Sequence, residues 1–166
     1  GELFSSSPFP VTTPEFEAHG LDPSNPRRVV VTHEPRKLIG SVYLKGNEQE
    51  TVEVKLQPWG IIAGRVVDDE GRPVASVRLQ SLIAIINKDR SPEDSDIIPG
   101  TDWNSGLALP DDGRFRVEGL VPGLKYGATA TNTQYVGGVL FQDVIVRPGE
   151  VTDLGDLKLT PFKRKN

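Results

Sequence analysis

Residues 111 to 123 constrain the fold of this chain more than any other stretch, because they combine a turn, a strand and a second turn. Asp112-Gly113 is a turn signal, since Asp tolerates a left-handed backbone and Gly adopts it freely. Phe115 and Val117 alternate with charged side chains, as in a strand that covers one side of a core. Pro122-Gly123 suits the two central positions of a type II turn. The stretch predicts a β-strand between two tight turns.

The rest of the chain repeats this rhythm, with turn signals every ~8–12 residues, a spacing typical of a sandwich or barrel. Residues 60 to 68 are apolar on both faces, which predicts a central strand. Gly155 stands between Leu154 and Leu157, and we expect a bulge there that lets both leucines face inward. Further strands are predicted at residues 29–31, 37–44, 51–57, 76–86, 125–131, 138–146 and 151–159.

The predicted fold class is all-β, with mostly antiparallel pairing. No window has apolar residues at helical spacing with caps, so we predict no long helix. A parallel crossover needs a dozen or more residues, and only residues 87 to 110 have that length. We interpret this stretch as a long loop without strands of its own, functional or inserted.

Composition narrows the classes of partner. The net charge is −4 with both signs interspersed, and the only basic run is Lys163-Arg164-Lys165, so we expect no nucleic-acid partner. No apolar run approaches the ~20 residues of a membrane span, so we expect no membrane insertion by this segment. The absence of cysteine excludes disulfides. The chain starts at Gly1 without Met, which we interpret as a piece of a longer polypeptide.

An internal repeat organises the chain. Residues 15–23 mirror residues 114–122, with Phe, Gly, Leu and Pro in the same places, at an offset of 99. Residues 54–59 mirror residues 157–162 at an offset of 103. We therefore predict a linker or edge segment over residues 1–14, the back half of a preceding repeat over residues 15–58, and a complete module over residues 59–166. A half-module cannot cover its apolar faces alone, so it should pack on the complete one.

The complete module resembles the carboxypeptidase regulatory-like domains of the transthyretin-like (prealbumin-like) β-sandwich superfamily. The resemblance is carried by residues 62–68, 71–75, 111–123 and 149–155. It implies an antiparallel Greek-key β-sandwich of about seven strands, to which the partial repeat adds N-terminal strands. It also implies a non-catalytic accessory module of a secreted or envelope-associated multidomain protein, which serves as a spacer, a support, or a binder of carbohydrate or protein. Its partners would include neighbouring domains of the same polypeptide.

The inventory of reactive side chains favours a module that is not an enzyme. The only histidines, His19 and His33, lie in the partial repeat, so residues 59–166 cannot form a His-based metal site or a Ser-His-Asp triad. We predict no catalytic residue, metal or cofactor. Two readings stay open for the acidic side chains of the 87–110 loop: a solvated surface or a Ca²⁺ site. The residues concerned are Asp89, Glu93, Asp94, Asp96 and Asp102.

Three loop residues are the candidates for ligand binding. Trp103, with Asn104 beside it, and Tyr135 fall in predicted loops, where aromatic faces stack on sugars or anchor protein partners. Trp103 could instead plug the open end of the sandwich. The predicted function is therefore an accessory or protein-binding module. A carbohydrate-binding module is the alternative, and a carboxylate-dependent hydrolase ranks below both.

Overall fold

The computed structural model describes residues 10, 12–24, 26–84, 96–97, 107–131, 137–158 and 160–161. Within them the only helical element is a short 3-10 helix, Glu34–Arg36. No helix in these ranges is long and apolar enough to cross a membrane. The strands are β1 (Arg27–His33), β2 (Leu38–Leu44), β3 (Gln57–Pro58), β4 (Gly60–Val66), β5 (Arg78–Ala84), β6 (Asp96–Ile97), β7 (Leu107–Ala108), β8 (Arg114–Leu120), β9 (Lys125–Thr131), β10 (Gly138–Ile145), β11 (Val151–Leu157) and β12 (Thr160–Pro161).

Two sheets form a sandwich. One has the order β12-β10-β9-β5-β6, with β7 also paired to β5, and the other has the order β11-β4-β8. The predicted all-β sandwich and its mostly antiparallel pairing are confirmed. Among the described strands, the one parallel pair is β11 with β4. It arises because the chain crosses from one sheet to the other after β10. The predicted central strand, β4, lies in the middle of its sheet.

The core lies between these two sheets and follows the period-2 alternation of the strands. Phe115 on β8 is 5% exposed and stacks on Phe141 of β10, with ring centroids 6.2 Å apart. The charged neighbours of Phe115 point the other way, as predicted. Tyr126 is fully buried and its hydroxyl donates to the Val121 carbonyl at 3.0 Å. Other buried members of the cluster are Ile62, Val66, Val77, Leu79, Leu109, Leu120, Ala128, Ala130, Leu140 and Val146.

The predicted bulge at Gly155 is confirmed. The pairing of β11 with β4 shifts register between Asp153 and Asp156, and Gly155 has a φ of +64°. Glycine adopts this left-handed backbone without steric cost. Leu154 and Leu157 consequently both pack against the core.

A third sheet, β1-β2-β3, precedes the sandwich. Its junction with β4 is held by two backbone hydrogen bonds: Trp59 N–H donates to the Lys37 carbonyl at 3.0 Å, and Gly149 N–H donates to the Trp59 carbonyl at 3.2 Å. The Lys37 ammonium lies 3.5 Å from Glu118 on β8 and 5.9 Å from the centre of the Trp59 ring. The third sheet and the residue that links it to β4 therefore contact the sandwich in two places. One contact is with β8, through Lys37, and the other is with the turn before β11, through Trp59.

The third sheet has the same arrangement as β9, β10 and β12. In each set an antiparallel hairpin is followed by a two-residue strand that ends in proline and pairs with the start of the second hairpin strand. Leu38 pairs with Pro58 as Gly138 pairs with Pro161. Positive φ angles recur at matching positions, in the pairs Gly20 and Gly119, Lys37 and Gly137, and Gly46 and Gly149. These pairs are 99, 100 and 103 residues apart, so they follow the offsets of the sequence repeat.

Two predictions about individual segments were wrong. Residues 51–56 form no strand, and only Gln57–Pro58 pairs with β2. The reason is a missing partner strand. At the repeat offset of 103, residues 48–54 match residues 151–157, which pair with β4. No strand among the described residues pairs with residues 48–54 in this way. The 87–110 loop does contain strands of its own, because β6 and β7 both pair with β5.

Candidate functional site

The residues predicted from the sequence to bind a ligand lie outside the part of the chain that the structure describes. This applies to Trp103, Asn104 and Tyr135, and to the acidic residues of the possible Ca²⁺ site except Asp96, which belongs to β6. Within the described ranges, no group of three or more His, Cys, Asp or Glu side chains is arranged to hold a metal ion. The described residues form a candidate site on a different surface.

A groove of about 780 Å³ lies on the outer face of the β11-β4-β8 sheet, beside the segment that leads from β7 into β8. The alternation of the strands places its polar wall. Ile62 and Phe115 face the core, so Ala63 and Arg65 of β4 and Arg114 and Arg116 of β8 face outward. The lining consists of Ala63, Gly64, Arg65, Leu107, Ala108, Leu109, Pro110, Arg114, Phe115, Arg116, Asp153, Gly155 and Asp156. We name this surface the arginine groove.

The centre of the arginine groove is an ion pair between two strands. The Arg65 guanidinium donates from Nε to Asp156 Oδ1 at 2.8 Å and from an Nη atom to Asp156 Oδ2 at 2.7 Å. Two parallel bonds of this kind fix both side chains in one orientation. The hydrogen bonds from Arg65 hold the pKa of Asp156 below its ordinary value of 3.8, and Asp156 in turn raises the pKa of Arg65.

Two further arginines stand on β8 and are more open to solvent. The Arg114 side chain is 75% exposed, and its Nε lies 3.7 Å from Asp112 in the preceding turn. Arg116 donates from Nε to Glu118 at 2.7 Å, and Lys37 approaches the other oxygen of the same carboxylate. The bond from Arg116 is the main cause that lowers the pKa of Glu118. Each arginine of the groove is therefore oriented by an acidic neighbour and keeps donors that face solvent.

Apart from Asp153, the rest of the groove is apolar, and Gly64 and Gly155 lie at its base. A Cβ atom placed on Gly64 would lie 2.9 Å from the Phe115 ring and 3.2 Å from the Gly155 carbonyl, so the backbone there sits directly on the core. Leu107, which is 50% exposed, and Ala108 border this base. The groove thus offers a shallow apolar base with guanidinium and carboxylate groups beside it.

The shifted pKa values of the ionisable groups all move in the direction that favours the charged form. Acid–base catalysis uses a group whose pKa is moved toward the working pH, often by burial that opposes ionisation. In the described ranges no polar or charged residue is buried. Every resolved pKa shift favours the charged form: the carboxyls shift down and the arginines shift up. The groups concerned are Asp22, Glu48, Arg65, Asp68, Arg72, Glu118 and Asp156.

Sequence reasoning did not find the arginine groove. Arg65 and Asp156 are 91 residues apart, and only the pairing of β11 with β4 brings them together. The local alternation around Phe115 did place Arg114 and Arg116 on a solvent face, which was the one available signal.

Comparisons of the chain with protein-family models, with curated proteins and with solved structures found no match. The resemblance to carboxypeptidase regulatory-like domains thus depends on the motif residues alone, and it stays a prediction.

Proposed function

We propose that this chain is a non-catalytic accessory β-sandwich module of a larger multidomain protein, and that it supports or binds protein through the arginine groove. The observation that carries the proposal is the arrangement of the charged groups in the groove. Arg65, Arg114 and Arg116 each form an ion pair with a carboxylate at the surface, and Arg114 and Arg116 keep much of their side chains open to solvent.

The composition of the groove favours a protein partner. Interfaces are enriched in arginine, whose planar guanidinium combines apolar contact with directed hydrogen bonds. Arg114 and Arg116 stand beside the exposed Leu107 and Ala108, so one extended peptide could contact apolar and charged groups together. The acidic neighbours leave a mixed surface, which favours a partner with both apolar and acidic side chains.

The setting of the module is part of the same proposal. The motif resemblance supports a secreted or cell-envelope protein in which flanking domains of the same polypeptide are the first partners, and in which the module acts as spacer or support. The sandwich, with its core closed between two sheets, suits that role.

A peptide array tests the binding role. The full chain is compared with Arg114→Ala and with the matched control Arg147→Ala. Arg147 is 77% exposed and lies 3.8 Å from Glu150, so the two arginines are alike in exposure and pairing, but Arg147 is outside the groove. We expect acidic–apolar peptides to bind the wild type and the control, and to bind Arg114→Ala at least about tenfold more weakly, because a charge-assisted hydrogen bond is worth about 1.5 to 3 kcal/mol. Equal binding by all three chains would contradict the groove as the binding surface.

Two further experiments on the same protein test the other functions suggested by the sequence. Titration with oligosaccharides, followed by tryptophan fluorescence, would reveal a carbohydrate-binding module. A saturable change that disappears in Trp103→Phe and Tyr135→Phe would replace protein binding as the function. Turnover of a glycoside substrate that is lost in Asp156→Asn would instead indicate a carboxylate-dependent hydrolase.

A further inference from the structure

Among the residues that the structure describes, the partial copy of the repeat lacks a strand that the complete copy has. In the complete copy β9 is paired on both edges, with β10 on one side and β5 on the other. The β5 pairing runs antiparallel from Arg78 opposite Thr131 to Ala84 opposite Tyr126. In the partial copy β1 takes the place of β9, and it pairs with β2 over its whole length. No strand of the described residues lies along the other edge of β1 from Val29 to His33.

The open edge has few of the features that usually prevent strand pairing. Natural proteins protect edge strands with proline, with bulges, with short length or with charged side chains. β1 is seven residues long, contains no proline, and pairs with β2 in continuous register without a bulge; its two arginines, Arg27 and Arg28, both stand at its start. Its middle, Val29 to Val31, carries three β-branched apolar side chains that are only partly exposed. Such a strand presents a straight row of amide and carbonyl groups to an incoming strand.

We propose that the open edge of β1 binds an extended strand of the front half of a module of this same kind, antiparallel to β1 and in the position that β5 holds beside β9. The repeat defines the occupant as a strand of about seven residues with apolar side chains at alternate positions. Val77 and Leu79 show this alternation at the start of β5. Main-chain hydrogen bonds supply the affinity, and the alternate side chains supply the register. This inference is independent of the arginine groove, which lies on a different sheet.

The same missing half accounts for a second feature of the partial copy. In the complete copy β11 pairs in parallel with β4. The matching stretch, residues 48–54, follows a positive-φ glycine as β11 does, yet it forms no strand. A single absent half-module, which would supply the equivalents of both β4 and β5, explains the open edge of β1 and the irregular backbone of residues 48–54 together.

The test uses the full chain and a synthetic peptide with the sequence of residues 76–84, which spans β5. Backbone hydrogen exchange is measured residue by residue, with and without the peptide. We expect the amides of Val29 to His33 that face away from β2 to exchange about tenfold more slowly when the peptide is present at about ten times its Kd. A second peptide, with Leu79→Pro, should give no protection, because proline lacks the amide hydrogen that the ladder needs.

β8 provides the control within the molecule, since it is also paired on one side only among the described residues. Protection confined to β1 supports the proposal. Absence of protection at β1, or equal protection at β8, overturns it. Self-association of the peptide-free chain with protection of the same β1 amides also overturns it, because the occupant would then be a second copy of β1.

Discussion

Several glycines of this sandwich have a left-handed backbone. At two of them, the reasons why a larger residue would be unfavourable can be told apart. Gly113, which precedes β8, and Gly119, which lies within it, have φ angles of +70° and +76°. A Cβ atom on Gly113 would lie 2.5 Å from the Val66 carbonyl oxygen, whereas one on Gly119 would meet nothing within 4 Å. Strain of the backbone acts at both positions, and steric exclusion acts only at Gly113.

We therefore predict different costs for two alanine substitutions. Gly119→Ala should lower the free energy of unfolding by about 1 kcal/mol, the cost of a left-handed backbone for a residue with a Cβ. Gly113→Ala should lower it by clearly more, because Val66 lies in the central strand and cannot move away cheaply. Urea unfolding of both variants measures the difference. Equal costs would show that the turn before β8 adjusts to the added methyl group.

The phenylalanines at matching positions of the repeat offer a second test. Phe115 is buried and stacked on Phe141, whereas Phe16 is 42% exposed and lies outside any strand. Phe115→Ala should cost about 3 to 5 kcal/mol, as large-to-small changes in a core do. Phe16→Ala should stay within about 1 kcal/mol, as surface changes do. A comparable loss at Phe16 would mean that the first copy of the motif has a core of its own.

Sequence patterns predicted single residues well wherever the cause was local. The alternation around Phe115 and the spacing of Leu154 and Leu157 depend only on strand geometry, and the structure confirms both the inward ring and the bulge at Gly155. The exposure of Phe16 was beyond prediction, because it depends on a facing sheet that only the second copy has.

At the scale of elements, the Arg65–Asp156 pair joins β4 to β11 across the register shift. Arg65 keeps the pKa of Asp156 below 3.8 in the folded chain. The folded state therefore holds its proton less tightly than the unfolded chain does. The stabilisation is fully present above the unfolded pKa, and it is lost as the pH falls through the folded pKa.

We predict that the stability difference between the wild type and Asp156→Asn shrinks as the pH falls from 6 to below 3. Urea unfolding at low ionic strength measures it, since salt screens exposed charges. The pair is partly open to solvent, so the direction of the change is the test and its size will be modest. A difference that stays constant with pH would contradict the role of the ion pair.

A strand predicted from the sequence formed where a partner strand was present. The strand predicted over residues 51–57 did not form over residues 51–56. Their apolar residues, Val52, Val54 and Leu56, alternate without interruption, but a strand also needs a neighbour to accept its hydrogen bonds. The arginine groove was unpredictable for a related reason. Its residues come from β4, β7, β8, β11 and the segment after β7, and no local pattern reports which strands become neighbours.

At the scale of the whole molecule, the described part of the chain contains one sandwich and a partial copy of its β9-β10-β12 corner. The sandwich buries its core between two sheets, and the partial copy is attached through Trp59, Lys37 and Glu118. The sequence repeat anticipated this relation through its offsets, and the structure extends it to the pairing of Leu38 with Pro58 and of Gly138 with Pro161. The assignment of residues 15–58 to a preceding module stays a prediction.

Per-residue hydrogen exchange of the unliganded full chain tests this relation most directly, because β1 and β9 are equivalent strands with different surroundings. The amides of β9, paired on both edges, should exchange only through global unfolding, in step with the free energy of unfolding. The β1 amides of Val29 to His33 that face away from β2 should exchange much faster, through local opening. If the outer-edge amides of β1 were protected as strongly as the amides of β9, the account would be contradicted. Another segment of the chain would then already be paired with that edge of β1.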